Sequence, residues 1–466
     1  MRYTVCLVLF LVSLLSTKLH AQDDQENREI LSLSDAIQIG LSDNFGIQIE
    51  QQNIEIAENN TTWGAAGRWP TISLNISQSN NLRDVQNAAN PFQPTGPTIS
   101  NGFGPGVSVS WVLFDGFRVL ANYDRLQTIQ KLSKGNARVV IENAVQGIIT
   151  QYYLVQLERE RLSVLEKVFL LSKDRYEYIE LKSELGSAVT FDVLQEQTNY
   201  LIDSSNFVTQ EINYINARRD LNVLMGQEVS QRYALTDSLD VTLNDYAIED
   251  LYEKMIASNS NLYNQYLNLE IAQIDTRLAK TELYPRLSLN LNSSYDLSRQ
   301  DLSQARFPVT SDDAGGGNTG ARAVVTNQST SNYAAGLTLS YLLFDGGRVR
   351  RAIENSYTQQ RINQLQIDEL KLTLRNDLAA TYDLYNVRKK LLSISEQTVA
   401  SADLNLSLAE ERFRNATINS FDYRAIQINY LNSALENLQA KYNLIESETA
   451  LLRLTGGITS EYENIN

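Results

Sequence analysis

Trp111-Val-Leu-Phe-Asp-Gly-Phe-Arg118 and Tyr341-Leu-Leu-Phe-Asp-Gly-Gly-Arg348 are two copies of one junction, and their reading decides the fold. Before each, apolar and polar residues alternate: Val107, Val109, Trp111 and Leu113 against Ser108 and Ser110, then Leu337, Leu339, Tyr341 and Leu343 against Thr338 and Ser340. Period two predicts a strand with one apolar face. After Phe-Asp-Gly a long helical pattern begins in each copy. Asp115 and Asp345 suit the helix start, because a short carboxylate accepts from free N–H groups there. Gly116 and Gly346 give the backbone room to change course, and Phe114 and Phe344 mark the point of change.

Working outward, residues 33–68 read as a long amphipathic helix closed by Trp69-Pro70, since proline cannot continue a helix. Residues 71–79 alternate as a strand. Residues 80–105, rich in Asn, Pro and Gly, read as a long polar loop returning to a second strand at 106–114. A helix over 116–184 follows, about 67 residues and roughly 100 Å long. A turn leads to a return helix over 191–226. That helix repeats every seven residues, through Val193/Leu194, Tyr200/Leu201, Phe207/Val208, Tyr214/Ile215 and Leu221, which predicts coiled-coil packing against a neighbour. Residues 227–247 form an irregular connector.

The pattern then recurs over 248–456, leaving 457–466 as a short tail. Pro70 matches Pro285, an offset of 215, whereas Phe114-Asp-Gly matches Phe344-Asp-Gly and Gly226 matches Gly456, an offset of 230. The extra residues fall in the polar loop between the second pair of strands, 286–294 and 335–344, where insertions are tolerated. A long helix at 346–413 and a return helix at 421–455 complete the second repeat, which with 22–226 makes an internal duplication.

The amino terminus reads as a secretory signal peptide over 1–21: Arg2, an apolar run too short to span a bilayer, and Ala21 before Gln22. Its removal takes Cys6 and His20, the only cysteine and histidine of the 466 residues, and shifts the formal charge from −15 to −17. Thiol or imidazole chemistry, disulfides and His or Cys metal sites are thereby excluded. The acidity argues against nucleic acid. Gly315-Gly-Gly has no following lysine and no helix start, so it is no phosphate cradle. The expected protein is not an enzyme and uses no cofactor or metal.

Strands of about ten residues suit a tilted membrane crossing, and aromatic residues mark one level in both halves: Trp63, Trp69, Trp111 and Phe114, then Tyr284, Tyr341 and Phe344. The same side chains would also fill a soluble core at a helix–sheet junction. In lipid, strands must close into a barrel, and four cannot close where single-chain barrels start at eight. The chain therefore has to oligomerise if its strands lie in lipid.

This double array of helix, two strands, long helix, turn and helix resembles the TolC-like outer-membrane factor family of efflux and secretion channels. The resemblance covers about 33–456. It implies a mainly helical protein with membrane strands, a homotrimer in which each chain gives four strands to a shared 12-stranded β-barrel, and a helical tunnel through the periplasm. The implied function is a passive exit duct in the Gram-negative outer membrane. Its implied partners are outer-membrane lipid, a periplasmic adaptor and an inner-membrane pump or secretion ATPase. The alternative is a non-transporting periplasmic coiled-coil scaffold.

The family's helix turns lie at the periplasmic entrance and meet the adaptor. Here they are Leu185-Gly186-Ser187-Ala188 and Arg414-Asn415-Ala416-Thr417. A glycine followed six residues later by aspartate recurs as Gly186 and Asp192. In the second turn Asp422 matches, Ala416 stands at the glycine position, and Asn415 can supply the left-handed residue. Threefold symmetry would gather Asp192 and Asp422 into a cation-favouring ring, or they cap their return helices, and both roles can hold together. A further acidic position of the family falls on Ala425 and a basic gate-linking one on Ile418, so the full familiar latch is not expected.

Overall fold

A computed structural model describes residues 29–86, 95–305, 325–415 and 417–458. The elements run β1 (Glu29–Leu31), α1 (Leu33–Asp43), α2 (Phe45–Asn60), β2 (Thr71–Val85), β3 (Gly96–Phe114), α3 (Arg118–Glu184) and α4 (Thr190–Met225). They continue β4 (Tyr233–Leu235), α5 (Ile248–Ser258), α6 (Ser260–Thr281), β5 (Arg286–Asp301), β6 (Val325–Ser340), α7 (Arg348–Arg414) and α8 (Ser420–Leu454). The signal-peptide reading, Ala416 and the Gly315–Gly320 stretch lie outside the described residues. Two compact units result: Met1–Ile54, Ser133–Gln265 and Gln366–Asn466 in one, Glu55–Leu132 and Tyr266–Leu365 in the other. Neither unit is a repeat, since each draws on both.

The helix expected over 33–68 is instead two helices and a turn. Ser32 opens α1 with a capping box, its Oγ accepting from the Asp35 N–H at 3.2 Å while its own N–H donates to Asp35. The break falls at Asn44, whose Oδ1 accepts from the Ile47 N–H and whose amide donates to the Leu224 carbonyl at 2.8 Å. Asn259 does the same between α5 and α6, accepting from Leu262 and donating to the Leu454 carbonyl at 3.1 Å. The two breaks are repeat-equivalent, and so are their targets. Each asparagine ends one helix, starts the next and ties both to the last turn of a return helix. Gly226 and Gly456 close those return helices in the left-handed conformation, φ 72° and 70°.

In the unit containing Glu55–Leu132, β2-β3-β5-β6 form one antiparallel four-stranded sheet, so β3 and β5 join the two repeats edge to edge. Where they are described, the polar stretches expected as loops are largely strand. β2 and β3 pair from Thr71↔Ser110 out to Val85↔Gly96, and β5 and β6 from Arg286↔Ser340 to Asp301↔Val325. Conversely, β6 ends at Ser340, and Tyr341 to Phe344 lie outside it. Gly104 and Pro105 have no partners in β5, the ladder being interrupted between Phe103↔Leu297 and Gly106↔Ser294, where Pro105 has no N–H to give.

The register sorts the sheet into two faces. Ile72, Val109, Leu291 and Ala335 lie in one row across it, and Trp111, Leu289 and Leu337 in another. On the other face lie Ser73, Ser108, Asn292 and Ala334, then Thr71, Ser110, Asn290 and Gly336. The polar face is hydrogen-bonded across strands, with Ser73 to Ser108 at 2.6 Å, Ser110 to Asn290 at 3.1 Å and Asn332 to Asp296 at 2.8 Å. Gly104 lets Asp296 in, because a Cβ there would stand 2.5 Å from its carboxylate.

In the other unit the core gathers Ile37, Ile148, Tyr152, Leu221 and Met225, all buried. Burying Leu221 and Met225 contributes about 1.5–3 kcal/mol each. The expected irregular connector supplies β4, which pairs in parallel with β1, and Tyr152 donates to Asp237 at 2.7 Å beneath that pair.

A Cβ at Gly226 would lie 2.2 Å from the Asp43 carbonyl oxygen, whereas one at Gly186 would meet nothing. Gly226→Ala is therefore expected to cost about 2 kcal/mol or more, and Gly186→Ala about 1 kcal/mol from the left-handed backbone alone. Thermal unfolding followed by circular dichroism checks this; equal losses would contradict the close approach.

Candidate functional site

The turns between long and return helices are exposed. In the first, Gly186 is left-handed at φ 74°, and the Ser187 N–H donates to the Lys182 carbonyl at 2.7 Å. In the second, the Thr417 N–H donates to the Arg412 carbonyl at 2.8 Å. Leu185, Ser187, Arg414, Asn415 and Thr417 are exposed, and Ala188 is half-buried. Phe191 and Phe421, the repeat-equivalent first-turn residues of α4 and α8, meet with ring centroids 6.3 Å apart. That contact sets the two turns side by side.

Neither aspartate is an N-cap residue, which corrects one of the two expected roles. Val189 caps α4 without a side-chain bond, and Asn419 caps α8, accepting from the Asp422 N–H at 2.8 Å. Asp192 and Asp422 stand in the first turn instead, where a carboxylate still meets the positive end of the helix. Asp422 is exposed and Asp192 half-buried. Ile418 is half-buried against the Val168 and Tyr423 cluster, and Ala425 is exposed.

Deeper in this unit lies a polar network that sequence reasoning missed. Arg175 of α3 and Glu196 of α4 pair at 2.5 Å with side chains 2% and 1% exposed. Arg175 also donates to Gln427 of α8 at 2.9 Å. Arg424 grips both oxygens of Asp203 at 2.5 and 2.9 Å, and Ser172 donates to the same carboxylate. Among the described residues Nη2 of Arg175 has no hydrogen-bond partner, but its guanidinium centre lies 5.4 Å from the Tyr423 ring centroid. Only the comparison of repeats carried a signal. Glu196, Asp203, Arg175 and Arg424 correspond to Ile426, Ser433, Asn405 and Leu194, so these charges break the duplication.

In the sheet-bearing unit, the strand–helix junctions are built around the two Phe-Asp-Gly copies. Asp115 accepts from the N–H groups of Arg118 at 3.0 Å and Val119 at 3.5 Å. Asp345 accepts from Gly347, Arg348 and Val349 at 2.9, 3.1 and 2.8 Å. The Val349 bond is the largest cause holding the Asp345 carboxyl below the usual range. Its contribution to the helix start is present above the unfolded carboxylate value and is lost as pH falls through the lowered one. The helices begin two residues later than expected, because Gly116 and Phe117, like Gly346 and Gly347, are left-handed. Gly116 has no room for a Cβ, which would stand 2.6 Å from Tyr284 Cβ.

Aromatic residues crowd these junctions. Trp63 stacks on Tyr123 at 4.0 Å, Arg68 lies over both Trp63 and Trp69, and the Trp111 indole donates to the Arg68 carbonyl at 2.9 Å. Phe114 packs edge-on to Phe117, and Phe117 edge-on to Tyr284. Trp69, Tyr284, Tyr341 and Phe344 are exposed in the single chain.

Comparison with known proteins agrees with this architecture. The family model described as outer membrane efflux protein matches residues 36–227 and 251–457. A curated protein of Aggregatibacter actinomycetemcomitans, toxin and drug export protein A, is 20% identical over 363 residues, covering 76% of this chain and 72% of that one. The Campylobacter jejuni CmeC outer membrane channel superposes with a TM-score of 0.71 at 14% identity, over 96% of this chain and 94% of that one. The Vibrio cholerae outer membrane protein VceC gives 0.68 at 14% identity, over 91% and 96%.

Asp203→Ala strands the Arg424 guanidinium and is expected to cost about 3–5 kcal/mol, whereas Asp203→Leu with Arg424→Leu recovers most of the loss. Thermal unfolding and amide exchange in α4 and α8 measure both variants. Equal damage from single and double variants would show that the pair is not what holds these helices together.

Proposed function

The chain belongs to the outer membrane efflux protein family, and we propose that three copies close around one axis to form its working duct. It is an outer-membrane channel of the Gram-negative envelope, extending through the periplasm as the exit duct of an efflux system, in a family of channels rather than enzymes. The observation that carries the assembly is the sheet. β2 and β6 each have one unpaired edge, and near the helices one face is apolar, through Ile72, Val109, Trp111, Leu289 and Leu337, while the other is polar. An apolar face toward lipid and a polar face toward a lumen suit such a wall, but open edges cannot stand in a bilayer. Three chains would supply the 12 strands that the family resemblance implies.

The helices support the same ring. On α4 one stripe faces inward, with Tyr200 and Phe207 stacked on Phe169 of α3. The adjacent stripe, including Leu201 and Val208 at 58% exposure each, is open. Its counterparts on α8, Leu431 and Leu438, pack beside Val164, Val168 and Leu157 of α3. Ile394 and Val387 of α7, which correspond to Val164 and Leu157, are exposed at 60% and 50%. An open α4 stripe and an open α7 stripe are the two halves of a head-to-tail contact, which closes into a ring by rotation.

In that ring Asp192 and Asp422 gather as six carboxylates at the periplasmic entrance, and the turns at 185–188 and 414–417 receive the adaptor. The inner-membrane pump or secretion ATPase provides the energy. The relative named for toxin and drug export supports a cargo of small molecules or proteins.

Leu201→Glu with Val208→Glu is expected to shift the purified protein from trimer to monomer in light scattering with size exclusion. A trimer that persists would sink the seam. In single-channel recording, Asp192→Asn with Asp422→Asn is expected to reduce cation selectivity and divalent block by about tenfold. Unchanged selectivity would remove these residues from the constriction.

A further inference from the structure

We infer that Asp296 gives the outer end of the β-lumen a preference for cationic solutes. The inference rests on the duct reading above, in which the polar face of the sheet lines water. Among the described strand residues the register puts three charged side chains on that face: Arg83 near the strand tips, Arg286 at the helix end, and Asp296 between them. Arg286 lies ten residues back along β5, about 33 Å away. Arg83 lies two strands across and six residues further out, more than about 20 Å away. Neither is close enough to neutralise Asp296.

The sheet is shaped to hold this carboxylate. Its Oδ2 accepts from Ser294 at 2.9 Å and from Asn332 at 2.8 Å. Its Oδ1 lies over Gly104, where a Cβ would stand 2.5 Å away. The two donors fix the orientation of the group, and the glycine leaves the space it occupies.

The opposite face gives its level. Phe103, Tyr295 and Tyr333 are exposed there, on rows close to that of Asp296. Beyond them Asn80, Asn101, Arg299 and Asn327 form one polar row across the sheet. From Trp111 to Phe103 is eight residues of β3, about 27 Å along the strand and roughly 20 Å of depth at a tilt of about 40°. That approaches the apolar band of an outer-membrane barrel, which aromatic girdles flank on both sides. Asp296 therefore stands level with the outer girdle.

Twelve strands about 4.8 Å apart, tilted by about 40°, close a ring roughly 24 Å across. Three Asp296 carboxylates then each lie about 10 Å from the axis, near one Debye length at physiological salt. Their field spans the opening in dilute buffer and fades in concentrated salt. It favours a passing cation without holding it.

The test uses the full-length assembly in nanodiscs, with Cys6, the one native cysteine, replaced by Ser. Introduced thiols are modified with a cationic trimethylammonium and an anionic sulfonate methanethiosulfonate. Ser298→Cys stands two residues from Asp296 on the same face. Its ratio of cationic to anionic modification rates is expected to fall about threefold with Asp296→Asn in 0.1 M salt, and not in 1 M salt. Asp84→Asn, near the strand tips on the other face, is the control and is expected to leave the ratio unchanged. Asn292→Cys, deeper on the polar face, reports whether the lumen holds water and is expected to react. If Asn292→Cys reacts while Asp296→Asn leaves the Ser298→Cys ratio unchanged, the inference is overturned and the duct stands. A fall that persists in 1 M salt, or that Asp84→Asn reproduces, overturns it as well. If Asn292→Cys resists both reagents, there is no water-filled lumen, and the duct and the inference fall together.

Discussion

A sheet must pair its edges, and that demand organises this protein. Four strands lie side by side, and the outer edges of β2 and β6 are left with unpaired N–H and C=O groups. Water can satisfy such an edge, but hydrocarbon cannot, and each stranded group there costs several kilocalories per mole. Alternation supplies one apolar and one polar face, so the sheet is already a wall segment. In the proposed assembly further copies of the chain would complete it, and the open stripes on α4 and α7 would make the same demand of the helices.

Duplication gives the chain its economy, and the departures from it are informative. Asn44 and Asn259 break equivalent helices and bind equivalent carbonyls, while Gly226 and Gly456 close equivalent return helices. The two glycines are held to symmetry because each backbone approach, to Asp43 and to Ser258, leaves no space for a side chain. The network of Arg175, Glu196, Asp203 and Arg424 departs from symmetry, since it ties α3, α4 and α8 together without a counterpart in the other repeat. Buried charges of this kind add little net stability against an apolar alternative, but they punish the loss of one partner. They therefore specify which helices meet.

Where sequence reading misjudged the fold, the cause is physical. Residues 80–105 look like a loop because Asn, Gly, Ser and Pro dominate them, yet most of this stretch is strand. A strand with one face turned to polar surroundings, and with Gly104 admitting Asp296, loses the β-branched signature that marks soluble sheets. The break at Asn44 was equally hidden. Asparagine is unremarkable in a helical pattern until its amide finds the Leu224 carbonyl, 180 residues away in the chain.

From residues alone come the duplication, the strand–turn–helix junction with its capping aspartates and the seven-residue seam. These follow from local rules: period, capping and composition act over a few neighbouring residues. Only the tertiary structure decided that the repeats join through β3 and β5, which α4 stripe is covered, and where the buried arginines find their carboxylates. Those outcomes depend on groups far apart in sequence arriving within hydrogen-bonding or van der Waals distance, which no local periodicity encodes.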